Sequence, residues 1–158
     1  ISFIFIIIIK ILIMTTPICF YSSYLFLFNS IIFYFNQDYI YSYLFKYLTT
    51  TSLLYHSERE NYKKSTYYRA IDIFMVLTLF IYGAYYTYDK LNKKIYISFR
   101  DCICLFIILL CNFLIGILHF YGKIIHHYCS HPNCLINEYY HSLLHLCVFC
   151  GNLFVFLL

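Results

Sequence analysis

Long apolar runs broken by short polar segments set the pattern of this chain. Residues 1–36 carry one charge, Lys10, and one helix breaker, Pro17. About 20 apolar residues cross roughly 30 Å of hydrocarbon, so one helix through all of that stretch would overshoot a bilayer. Proline lacks a backbone N–H and clashes with the preceding turn, which puts the break at Thr15-Thr16-Pro17. Residues 1–14 are then a short hydrophobic segment, either a helix stub or part of a signal sequence. Ile18 to Asn36 is a full span, and Asn36-Gln37-Asp38 is a tight polar break. Further spans are expected at Tyr39 to His56, Tyr67 to Tyr88, Cys102 to Tyr121 and Glu138 to Leu158. The pattern thus predicts an all-α polytopic transmembrane bundle, five full spans plus the short N-terminal segment, in one domain over residues 1–158.

Composition agrees with that solvent. Hydrophobic residues make up 63 % of the chain and charged residues 11 %, against about 45–50 % and 25 % in soluble domains. This excludes an ordinary cytosolic globule, a disordered tail and a disulfide-stapled secreted module. The expected location is integral in an endomembrane or the plasma membrane, with membrane lipid as the partner. A dispersed net charge of +4 gives no footprint for nucleic acid. Heavy use of Ile, Phe, Tyr, Asn and Lys resembles AT-rich coding, which inflates hydropathy without bearing on mechanism. The basic loops on the two faces tie: Arg59, Lys63, Lys64 and Arg69 against Lys90, Lys93, Lys94 and Arg100. Orientation is therefore left open.

Ionisable side chains within spans are costly, and each is a functional candidate. His56, Asp72, His141 and His145 stand out, with Ser52 four residues before His56. Spacing of i, i+4 puts two side chains on one helix face, so His141 and His145 can grip one ion. The order of spans tests whether these groups can meet. His56 ends one helix, Asp72 lies early in the next, and His141 and His145 lie in the first turns of the last. With an odd number of helices between Asp72 and the histidine pair, all four share a depth on one side. Three neutral histidines with a fourth position open match the catalytic zinc pattern, which supplies acidified water at neutral pH. Asp72 would orient that water or take its proton, and Ser52 would hydrogen-bond nearby.

The same residues carry a family resemblance. Ser52-Leu53-Leu54-Tyr55-His56, then Asp72, then Tyr140-His141-Ser142-Leu143-Leu144-His145 resembles the superfamily of alkaline ceramidases and progestin/adipoQ receptors. In wording the motifs are most similar to its myomaker branch, as is the charged loop between His56 and Asp72. The resemblance implies a seven-helix bundle, with His56, His141 and His145 as zinc ligands and Asp72 and Ser52 as polar partners of the water. It implies a membrane-embedded zinc hydrolase of a lipid amide or ester. The alternative is a non-enzymatic membrane-remodelling or fusion protein in which zinc is structural. The chain departs from the family between Asp72 and His141, where one full span stands in place of three whole helices: either the bundle is reduced or a helix pair is missing.

Plainer readings stand beside these. Asp72 can pair with Arg69, and Ser52 can bond its own helix turn like Thr49, Thr50 and Thr51. Lys46 is expected to snorkel or to face the bundle interior. His119 could replace one ligand. His127, His131, Cys129 and Cys134 read as solvated loop residues, with a small metal site or a Cys129–Cys134 disulfide as alternatives. Cys102, Cys104, Cys111, Cys147 and Cys150 read as small packing residues. Haem ligation in a respiratory subunit would leave the order of Ser52, His56, Asp72, His141 and His145 a coincidence.

Overall fold

The computed structural model describes residues 18–57, 62–130 and 132–158. The short segment expected at residues 1–14 lies outside them, as do His131 and most of the charged loop after Ser57. Among the described residues every element is helical. We number them α1 (Ile18–Phe35), α2 (Tyr39–Ser57), α3 (Tyr62–Asn92), α4 (Phe99–Ile125) and α5 (Cys134–Leu157). Four of the five helices, all except α2, are long and apolar enough to cross a membrane. Helix α2 has 19 residues, but Lys46 and the run from Thr49 to Ser52 lower its apolarity.

The helix limits follow local chemistry. The polar break after α1 is closed by Gln37, whose φ of 65° is left-handed. Gln37 N–H then reaches Tyr34 O and Asp38 N–H reaches Phe33 O, both at 3.0 Å. These two bonds satisfy carbonyls that the helix end leaves without partners. Asp38 Oδ1 accepts from Tyr41 N at 3.3 Å and so opens α2 at once. Ser98 and Asp101 form a capping box on α4, with Lys94 Nζ 2.5 Å from Asp101 Oδ1. Asn133 Oδ1 accepts from Leu135 N and Ile136 N at the start of α5. Helices α3 and α4 extend past the expected ends at both termini, and α5 starts earlier than expected. Polar residues outside the hydrocarbon continue a helix as readily as they end one.

Helix α1 packs between α2 and α5; α3 lies against α2, and α4 against α5. Small residues let α1 and α2 approach closely: Ser30 Oγ donates to Ser42 O at 2.9 Å, and Ser42 Oγ to Ser30 O at 2.7 Å. Around this contact an aromatic core forms from Phe26, Phe33, Tyr41 and Phe45. Phe33 stacks on Phe45 at 5.8 Å and tilts against Tyr41 at 4.3 Å between ring centroids. Tyr41 donates its hydroxyl proton to Asn152 Oδ1 on α5. That core fixes the relative register of α1, α2 and α5, which is the frame for the polar cluster one end of the bundle holds. Lys46 is exposed, so of its two expected placements the interior one is wrong: the apolar side of α2 is filled by Tyr41, Phe45 and Leu48.

Candidate metal centre

Helix α2 presents Ser52 and His56 on its buried face, one turn apart. Helix α5 presents His141 and His145 at the same spacing near its own start. Because α2 ends where α5 begins, the three imidazoles come together. One nitrogen from each of His56, His141 and His145 lies within 4.8 Å of the other two. Ring centroids are 5.1 Å apart for His56 and His141, 4.9 Å for His141 and His145, and 5.5 Å for His56 and His145. His56 and His145 are buried, and His141 is half-buried at the open side. Phe26 packs edge-on against His145 at 4.8 Å.

Could these residues hold an ion? A tetrahedral metal bound at about 2.0–2.1 Å spaces its nitrogen ligands roughly 3.3 Å apart. The three nitrogens lie within 4.8 Å of one another, so a bound ion would draw them together. An all-imidazole set suits zinc, copper, iron or nickel and offers nothing to the hard cations that need oxygen. Among the described residues these three are the group that fits.

The other expected site residues, Asp72 and Ser52, are each engaged by a neighbouring hydroxyl. Asp72 is buried, and its Oδ1 lies 3.1 Å from Thr51 Oγ1, whose proton is shared between this carboxylate and Leu48 O, also at 3.1 Å. This bond, rather than a pair with Arg69, is what the carboxylate makes. Asp72 stands apart from the three gathered imidazole ligands. Ser52 Oγ lies 2.8 Å from Ser23 Oγ, and both residues are 0 % exposed. Ser23 gives its own proton to Cys19 O at 2.8 Å. A hydroxyl has one proton, so Ser52 is the donor to Ser23.

Three hydroxyl residues escaped the sequence reading. Ser22 Oγ lies 2.8 Å from His145 Nδ1, Ser23 meets Ser52, and Thr51 meets Asp72. A signal for the serines was present. Helix α1 runs antiparallel to α2, so the order of spans that gathers the histidines also puts Ser22 and Ser23 at their depth. His119 lies in the π-helical turn Gly116–Tyr121, outside the cluster. Cys129 is a free thiol, which removes the Cys129–Cys134 disulfide. Burial pushes that thiol up to about 12. It therefore stays protonated at neutral pH.

No family model, no curated protein and no solved structure matches this chain.

Proposed function

We propose that the chain is a membrane-embedded, zinc-dependent hydrolase acting on a lipid amide or ester. The observation that carries this reading is the convergence of His56, His141 and His145 from two helices at one depth. Bound there, zinc would supply Lewis acidity and an acidified water at neutral pH. The remaining work belongs to the chain. The imidazoles fix the depth of the ion, and His141 leaves the cluster open on one side. Surrounding apolar helices keep bulk water away and admit an amphipathic substrate from within an endomembrane or the plasma membrane. Asp72 accepts a proton, steadied by Thr51. Ser52 offers its oxygen as an acceptor, since its proton is committed to Ser23.

A second reading draws on those same hydroxyl contacts. Ser52 and Asp72 are bonded to Ser23 and Thr51, which join α1, α2 and α3 as well as any catalytic arrangement would. Zinc would then staple helices in a non-enzymatic remodelling or fusion protein. One experiment separates the two. The purified full chain should contain one zinc, lost in His141→Ala. Asp72→Asn should keep the zinc and lower hydrolysis of a lipid amide or ester by about 10²-fold or more, the scale of a general base. Zinc retained with function intact in Asp72→Asn favours the structural role. A folded, zinc-free wild-type chain overturns both.

A further inference from the structure

Helix α1 contributes none of the three clustered histidines, yet it touches the cluster through the Phe26 ring and through one polar atom. Ser22 Oγ makes two bonds. One is to Cys19 O at 3.0 Å, and the other is to His145 Nδ1 at 2.8 Å. A carbonyl oxygen can only accept, so Ser22 is able to give its single hydroxyl proton to Cys19 and receive another from His145. With a metal on Nε2, the ring proton sits on Nδ1, and the 2.8 Å contact then runs from Nδ1–H to Ser22 Oγ. A neutral imidazole protonated at Nδ1 carries its lone pair on Nε2. We propose that Ser22 is a positioning residue that locks His145 in the tautomer whose Nε2 is the metal ligand.

The surroundings make this a built contact. His145 is 2 % exposed, and Phe26 covers its ring edge-on. The ring is therefore shielded from bulk water on the Phe26 side. Successive residues on a helix point about 100° apart. Ser22 thus reaches α5 while Ser23, the next residue, reaches Ser52 on α2. Cys19 Sγ adds a bond to Glu138 O on α5 at 3.1 Å. The start of α1 is held on both sides, so the Ser22 hydroxyl has a fixed place relative to the imidazole. Partners of this kind orient metal-binding histidines, and their loss costs about 10–100-fold in affinity.

This inference rests on the metal reading of the cluster, and its test keeps the two separable. Zinc affinity is measured by competition with a chromophoric chelator on the detergent-solubilised full chain. Ser22→Ala should weaken binding by about 10–100-fold, and Ser22→Thr, which restores a hydroxyl, should recover most of it. Ser22→Ala with wild-type affinity overturns the positioning role and leaves the metal site standing. A wild-type chain that binds no zinc overturns both. Should Ser22→Ala fail to fold, ¹⁵N-histidine spectra of the wild-type chain with zinc decide. A proton retained on His145 Nδ1 is the expected result, and zinc on Nδ1 is the refuting one.

Discussion

At the scale of the residue, the proton of a buried hydroxyl decides what that group can still do. Ser23 spends its proton on a carbonyl of its own helix, so Ser52 must spend its proton on Ser23. Ser52 retains lone pairs and can accept a bond, but it has no donor left for a substrate oxygen. Truncating it leaves Ser23 with an unmet acceptor in a pair that is 0 % exposed. Ser52→Ala should therefore cost about 1–3 kcal/mol, the penalty of a buried polar atom losing its partner. Thermal unfolding in detergent measures it. Zinc content should be unchanged, since the Ser52 hydroxyl bonds Ser23. An equal loss of zinc would show that Ser52 supports the ligands and not only the helix contact.

At the scale of the element, close approach is what the sequence hid. Gly83 on α3 has a helical backbone like its neighbours, and nothing in the hydropathy pattern marks it. A Cβ placed there would lie 2.6 Å from the Tyr41 hydroxyl. Tyr41 is 0 % exposed and bonded to Asn152, so the ring has nowhere easy to move. Gly83→Ala should destabilise the bundle by about 1–3 kcal/mol, the usual cost of overpacking, despite the gain in helix propensity. Unfolding midpoints of the single variant and of Gly83→Ala with Tyr41→Phe give the check. The hydroxyl is the clashing group, and its removal should restore part of the loss. Polar breaks were legible in the sequence wherever the chain must turn, as at Asn36-Gln37-Asp38. The histidine pairing was legible because helix parity fixes depth without knowledge of side-chain contacts. Contacts between helices were not: Ser22 meeting His145 and Thr51 meeting Asp72 depend on rotation of each helix about its axis. Weak amphipathicity in lipid leaves that rotation to packing alone.

At the scale of the whole molecule, the cluster ties together parts of the chain that lie far apart in sequence. His56 closes the α1–α2 hairpin, and His141 and His145 open the last helix. A ligand that binds only the folded state stabilises it by RT ln(1 + [L]/Kd), or about 2.7 kcal/mol at a hundredfold excess over Kd. For a chain of this size that corresponds to about 5–10 °C in Tm. Zinc should raise the unfolding midpoint of the wild-type chain by that amount, and a chelator should reverse the rise. His56→Ala leaves His141 and His145 on one helix, where they can still hold an ion but cannot join α5 to α2. Its zinc-dependent shift should fall to a small fraction of the wild-type value. An equal shift in His56→Ala would mean that the ion binds α5 alone, and the three imidazoles would not act as one site.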